Sequence, residues 1–299
     1  DYSIDFSEVK GQALAKRGLE IAAAGGHNII LIGSPGSGKS MLAKRMITIL
    51  PPMSEEEIIE STKIYSVAGE LNSKKPIISQ RPFRSPHHTS SLTSIIGGGK
   101  RIKPGEISLA SNGVLLLDEL AEFPRSVLES LRQPLEDGMV SITRAQYRVE
   151  FLSTFQLLAT SNPCFCGNYY EGASCTCTQH EVNKYLKKLS GPIMDRIDIH
   201  IEMRRLSEDE LMNSSESENS DTIKNRIIKA REIQRKRYNN DLLNGNLGQK
   251  EIKKYCKIAD EDKEYFKNAM KIMEISARGY DKILKVARTI ADLDECKEI

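Results

Sequence analysis

The sequence predicts an α/β fold, a parallel sheet layered between helices, followed by a smaller domain built only of helices. Three observations predict it. A short apolar run, residues 28–32, ends in a glycine-rich turn and leads into a helical pattern. Two further apolar runs, residues 113–117 and 155–160, have the length of buried strands and alternate with helical segments, as a layered sheet requires. Beyond residue 221 the pattern is almost wholly helical.

Taken in order, Met41, Leu42, Met46, Ile47 and Leu50 fall on one helical face after the first run, and Pro51-Pro52 ends that helix. Ser54 with Glu57 three residues later forms a capping box that opens a helix over 54–68. Residues 72–105, rich in Pro, Ser and Gly, read as loops and hairpins. Residues 124–137 read as one helix opened by Pro124, and residues 140–151 alternate as a hairpin does. Residues 207–221, rich in Ser, Glu, Asn and Asp, read as a linker. Helical patterns then cover 222–239, 249–257, 260–275 and 280–293. The expected organisation is an α/β domain over 1–206, an acidic linker over 207–221 and a helical lid over 222–299.

A hydrophobic content of 39% and a charged content of 28% are those of a soluble globular chain. No run of 18 apolar residues exists to span a membrane, and Asp1 to Asp5 lack the basic-then-apolar character of a signal peptide. A cytoplasmic location is the expectation. The chain opens without methionine, as an excised piece of a longer protein would. The net charge of +2 hides a pattern: residues 207–221 carry six acids and no base, while residues 222–299 carry 19 bases against 13 acids. A basic last third permits an anionic partner, although exposed helices commonly carry such charge.

Gly33-Ser34-Pro35-Gly36-Ser37-Gly38-Lys39-Ser40 fits G-x-x-x-x-G-K-S/T at every fixed position. Glycines let backbone N–H groups curl around phosphate oxygens, and the helix beginning near Lys39 directs its positive end at the anion. In this pattern the lysine reaches the β- and γ-phosphates and the hydroxyl ligates Mg2+. Val114-Leu115-Leu116-Leu117-Asp118-Glu119 is a buried strand ending in two acids. Asp118 sits where such a fold holds Mg2+ through water, and Glu119 is placed to act as general base on an attacking water. Thr160-Ser161-Asn162 closes the third strand; its amide could orient that water, or the segment could be an ordinary turn.

Cys164, Cys166, Cys175 and Cys177 form C-x-C-x8-C-x-C within a Cys-rich insertion over 163–180. Four thiolates can close a tetrahedral Zn2+ site, with His180 a spare ligand; the one-residue gaps depart from the usual C-x2-C knuckle, and free thiols or a reversible disulfide are the alternative. His87-His88 reads as a structural or substrate-facing loop, since adjacent residues cannot readily face one ion. Gly97-Gly98-Gly99-Lys100-Arg101 is flexible and basic, suited to gripping a polyanion or simply a glycine hairpin. Arg226, Lys229, Arg231, Arg235, Lys236 and Arg237 crowd one lid helix and would suit phosphate contacts.

With these residues in place the chain resembles the AAA+ class of P-loop NTPases, an αβα sandwich with a helical lid. Within that class it resembles the magnesium-chelatase-like branch and its bacterial competence-type group. The segments carrying the resemblance are Asp5–Gln12, Arg81–Thr89, Pro104–Ala110, Gly191–Asp198, Ser276–Tyr280 and Val286–Ala291. The resemblance implies ATP or ADP with Mg2+ as ligand, hydrolysis as reaction and a homo-oligomer, a hexameric ring, as working form. It implies DNA as the partner remodelled, as in branch migration. A chelatase-type motor driving metal insertion by a partner is the alternative. A scaffold that binds ATP without useful turnover is a second alternative, against which Glu119 argues, and a small-molecule kinase a third, for which no acceptor-binding segment is evident. The resemblance also implies roles that spacing does not give. Val9 to Gln12, Val9 and Gly11 among them, would lie near the adenine, and Met41 would follow the loop at the nucleotide. Asn162 would read the γ-phosphate. Arg196 would be an arginine finger for the next subunit's nucleotide, and Arg288 a second sensor for the nucleotide of its own subunit. Full-length members of that group carry an N-terminal domain resembling the Lon protease fold.

Overall fold

The computed structural model describes residues 3–144, 147–189, 191, 193–213 and 217–299. Pro192, and residues 214–216 of the acidic stretch, lie outside the described residues.

In chain order the elements are α1 (Ala13–Gly25), β1 (Ile29–Gly33), α2 (Lys39–Arg45), α3 (Glu55–Ala68), β2 (Phe83–Arg84), α4 (Leu92–Ile96), β3 (Gly97–Gly98), β4 (Lys103–Pro104), α5 (Glu106–Leu109) and β5 (Val114–Leu117). Then come α6 (Arg125–Ser130), α7 (Arg132–Asp137), β6 (Met139–Arg144), β7 (Tyr147–Leu152), β8 (Gln156–Ser161), α8 (Gln179–Leu189) and β9 (Ile199–Met203). The last are α9 (Glu208–Met212), α10 (Ser220–Tyr238), α11 (Gln249–Tyr255), α12 (Lys263–Ile272) and α13 (Ala277–Leu293).

The main sheet has the order β2-β5-β8-β1-β9, and its pairs are parallel. The three apolar runs are its three central strands, and every residue of β5 is buried. Parallel strands carry helices on both faces, which is why those runs are continuous rather than alternating. One core cluster holds Leu19, Ile29, Leu31, Leu116 and Leu158; the other holds Ile30, Leu115, Leu117 and Leu157.

Several sequence expectations are corrected by physical detail. The helix expected over 124–137 is two helices meeting at Leu131, because Pro134 would clash with the Ser130 carbonyl in a continuous helix and is tolerated in a first turn. The stretch 72–105 supplies an edge strand, β2, paired to β5, and the short helix α4. Within the acidic stretch, Ser207 and Glu210 form a capping box that winds α9. Ser54 and Glu57 close the expected box on α3.

The first lid helix is continuous with the α/β core. Ile223, Ile227 and Ala230 of α10 belong to the same buried cluster as Phe6, Ile29 and Leu31. At its start, buried Ser220 bonds the Phe6 N–H at 2.9 Å and Thr48 Oγ1 at 2.8 Å. α11 and α13 with their flanking segments form a small separate core of Leu247, Ile252, Cys256 and Leu284, while Leu293 at the end of α13 lies in the main cluster. No helix among the described residues is long and apolar enough to cross a membrane.

Candidate active site

The phosphate loop follows β1, at the C-terminal edge of the sheet. Gly33 pairs with Met203, and a Cβ on Gly33 would lie 2.4 Å from the Met203 carbonyl oxygen, so only glycine fits. Gly36 and Gly38 hold φ of +82° and +90°, a left-handed turn that returns the chain into α2. Lys39 is buried and its ammonium folds back onto the loop, donating to Gly33 O at 2.6 Å and Ser34 O at 2.9 Å. It also reaches Asn162 Oδ1 at 3.3 Å. Burial pushes the Lys39 pKa down, while Asp118 and Glu119 pull it back up. A cation held by carbonyls in a partly dry loop is one that an anion can draw off.

The register of β5 on β8 pairs Leu117 with Ala159 and so sets Asp118 beside Thr160. Asp118 Oδ1 accepts from the Ser40 hydroxyl at 2.8 Å and from the Thr160 hydroxyl. Thr160 Oγ1 in turn accepts the Glu119 N–H at 3.0 Å. Glu119 sits at φ +58°, a left-handed conformation uncommon outside glycine, and its side chain is exposed to water. The structure thus brings Lys39, Ser40, Asp118, Glu119 and Asn162 together. Two oxygen donors converging from Ser40 and Asp118 suit Mg2+.

The segment before α1 also reaches the loop. Gln12, at φ 54°, donates to Ser37 O at 3.1 Å and Arg204 O at 2.8 Å. Val9 is buried, Gly11 packs on Leu206, and Met41 stands half-exposed in the first turn of α2. A cleft of about 600 Å³ opens here between Gln12, Leu14, Leu206 and Glu171.

Arg196 and Arg288 lie elsewhere. Arg196 precedes β9, and its carbonyl accepts from Asn28 Nδ2, just before β1, at the opposite edge of the sheet from the loop. The five residues of β1 separate the two by about 16 Å, more than an arginine side chain spans. Its guanidinium pairs with Glu136, and burial, with the charges of Arg278 and Arg132, pushes its pKa down. It opens onto a cleft of about 1270 Å³ whose walls include Asp195, Arg231 and Arg278. The structure does not bring Arg288 to its own loop. Arg288 is buried, donates to the Lys297 and Cys296 carbonyls at 2.9 and 2.8 Å, and pairs with Asp292 at 3.3 Å. Its neighbour Thr289 bonds His27, again at the N-terminal edge of the sheet.

The crowded bases of α10 are mostly engaged within the chain, which corrects their reading as a free phosphate-binding face. Arg226 pairs with Glu20 and Glu218, Arg231 donates to Ala23 O, Arg235 pairs with Asp241 and Arg237 with Asp292. Lys100 and Arg101, by contrast, are exposed at the turn of the β3–β4 hairpin. His87 and His88 stack on one another with ring centroids 4.1 Å apart.

The four clustered cysteines do come together: their sulfurs all lie within 4.8 Å of one another, without His180. All are free thiols, and Cys164 is buried. Backbone N–H groups of Asn168 and Thr176 pull the Cys166 thiol down to about 5. Sequence reasoning missed Arg205 and the roles of Gln12 and Thr160 as positioning groups. Arg205 Nε donates to Pro35 O of the loop at 2.7 Å, a contact 170 residues apart that no local signal marks.

Fold and site together define an AAA+-type α/β protein built around a phosphate loop. The family described as "Magnesium chelatase, subunit ChlI" matches residues 5–211, and "Magnesium chelatase, subunit ChlI C-terminal" matches residues 217–299. The chain belongs to this magnesium chelatase ChlI family. It is 44% identical over 299 residues to "Competence protein ComM" of Haemophilus influenzae, covering 99% of this chain and 58% of that protein. It is 45% identical over 293 residues to "Uncharacterized protein YifB" of Escherichia coli, covering 97% of this chain and 57% of that one. A distant similarity, 24% over 188 residues, covers 60% of this chain and 17% of "DNA replication licensing factor mcm6" of Dictyostelium discoideum. The chain thus spans little more than half the length of its near relatives.

Proposed function

We propose that the chain binds Mg-ATP at the Gly33–Ser40 loop and hydrolyses it as one subunit of a homo-oligomeric, hexameric ring that remodels DNA in the cytoplasm. One observation carries the nucleotide reading: at the mouth of the glycine loop Lys39 contacts Asn162, and beside them Ser40, Asp118, Thr160 and Glu119 form one hydrogen-bonded chain. Lys39 would leave its loop carbonyls for the β- and γ-phosphate oxygens. Ser40 and Asp118 would hold Mg2+, which when bound neutralises charge between those phosphates. Exposed Glu119 takes a proton from the attacking water as its oxygen bonds the γ-phosphorus and the bond to the β–γ bridging oxygen breaks, leaving ADP and phosphate. Asn162 orients that water. Arg196, out of reach of its own loop, would serve a neighbouring copy's nucleotide; such fingers are worth roughly 10³–10⁵ in rate in related enzyme classes. The four cysteines would form a structural zinc centre.

The DNA assignment is supported by the names of two relatives, a competence protein and a replication licensing factor. A second reading, a motor driving metal insertion, is favoured by the family's own description. The test is ATP turnover with and without branched DNA, on the parent chain and on Glu119→Gln. The variant should bind ATP and barely turn it over. Parental turnover by Glu119→Gln would remove the base assignment, and parental turnover indifferent to every DNA tried would favour the metal-insertion reading.

A further inference from the structure

The Cys-rich insertion is built without an apolar core. None of residues 169–178 is buried, and the backbone bonds that hold it are short-range turns: Gly167 N–H to Cys164 O, Glu171 N–H to Asn168 O and Cys175 N–H to Gly172 O. A loop of this kind needs another staple to keep one shape. Its four sulfurs provide one. Cys164 Sγ lies 3.4 Å from Cys166 Sγ and 4.0 Å from Cys175 Sγ, and Cys166 Sγ lies 3.6 Å from Cys175 Sγ. A tetrahedral Zn2+ with Zn–S near 2.3 Å sets its sulfurs roughly 3.8 Å apart. A disulfide would instead single out one pair at about 2.05 Å. Cys177 Sγ completes the set, accepting the Cys166 N–H at 3.4 Å.

The same insertion presses on the phosphate loop. Gly167, at φ +83°, lies so close to Pro35 that a Cβ there would meet the proline ring at 2.7 Å. Between the two cysteine pairs, Asn168 Oδ1 accepts from Arg205 Nη2 at 3.3 Å and Glu171 Oε1 accepts the Arg205 N–H at 3.2 Å. The Arg205 side chain then clamps the Pro35 carbonyl.

We infer that Cys164, Cys166, Cys175 and Cys177 bind one Zn2+ and that this centre braces the phosphate loop from outside, so that metal occupancy sets nucleotide affinity. The affinity part rests on the nucleotide reading above. Zinc content of the purified chain should be about one per chain, and Co2+ exchanged into it should show intense thiolate-to-metal charge transfer. Removing zinc with a strong chelator should weaken binding of a fluorescent ATP analogue about tenfold, the equivalent of one hydrogen bond to a charged group. Hydrogen exchange should rise at residues 33–38 and 164–177 but not in β5 or β8, and zinc alone, added back, should reverse both changes. The double variant Cys175→Ser, Cys177→Ser should reproduce the chelated state; because chelation is reversible on the parent chain, misfolding of the variant leaves the test intact. Protein purified without zinc whose four thiols alkylate freely and are not protected by added zinc would remove the site, and iron in place of zinc would remove the metal assignment. Zinc loss that left exchange at 33–38 unchanged would overturn the brace. If the zinc-loaded chain bound no nucleotide, the nucleotide reading would fail while exchange at 33–38 still decided the brace.

Discussion

Thr160 offers a sharp test of the proposed chemistry, because its hydroxyl is spent on the two strand-end acids and would act only through them. Its buried hydroxyl donates to Asp118 Oδ1 and accepts the Glu119 N–H, so it fixes both strand-end acids at once. Thr160→Val keeps the shape and removes only that hydroxyl. Ser40 would still hold Asp118, but the Glu119 peptide would lose its partner at a residue already in a left-handed conformation. A hydrogen bond to a charged group is worth about 1.5–3 kcal/mol. If that loss falls on the transition state, kcat drops by about 10- to 150-fold at 1.36 kcal/mol per tenfold. Lys39 and its loop are untouched, so nucleotide affinity should stay within about threefold of the parent. Steady-state ATPase assays paired with analogue binding would read the split. Thr160→Ser, which restores the hydroxyl, should recover most of kcat. Parental kcat in Thr160→Val, or a loss that Thr160→Ser fails to mend, would refute the positioning role.

Three further outcomes follow from the geometry. Arg196→Ala and Lys39→Ala proteins should each be inactive alone and regain partial ATPase activity when mixed, since some joints would pair an intact loop with an intact arginine; no recovery in subunits shown to co-assemble would count against action between subunits. Asp292→Ala should cost about 3–5 kcal/mol in a urea titration, because it strands buried Arg288, half-buried Arg237 and the Asn244 amide that all converge on that buried carboxylate. Replacing Lys100 and Arg101 by Glu should reduce the log–log salt dependence of duplex binding, followed by anisotropy, by roughly 2, about 0.9 for each phosphate no longer neutralised; an unchanged slope would place the DNA surface elsewhere.

Parts of this molecule are legible from the chain alone because their causes are local. The glycine loop, the buried runs of β1, β5 and β8 and the Ser54–Glu57 box each act within a few residues. The parts that escaped depend on distant partners. In α1, Glu20 is buried between Arg17 and Arg226, and its tolerance there is a property of α10. In β9, Ile199, Ile201 and Met203 face inward while His200 and Glu202 face out, an alternation that was available but short and embedded among charges. Strand β2 has two residues and carries no period. For Arg288 the helix was readable, but the direction of its guanidinium is set by the Cys296 and Lys297 carbonyls. The α10 arginines were readable as charge and not as partners. The four cysteines were readable as a cluster, yet only the fold places them against Pro35.

The burial of Ile223, Ile227 and Ala230 with the strands of the main sheet has a mechanical meaning. In a machine driven by nucleotide, the stiff parts decide where a stroke is felt. Here α10 is a spar of the α/β body, riveted at Ser220 and running along α1, so the lid has no swivel at its nominal border near residue 222. Bending is left to α11 and α12, since α13 is itself tied back by Leu293 in the main buried cluster and by Thr289, which bonds His27 at 2.6 Å. If nucleotide drives a stroke at the phosphate loop, it should therefore turn the α/β body, α10 and α13 as one lever. Amide exchange in α10 and at the buried end of α13 should then be as slow as in β1, with faster exchange in α11 and α12; a step near residue 222 that included α13 would put the swivel back at the domain border.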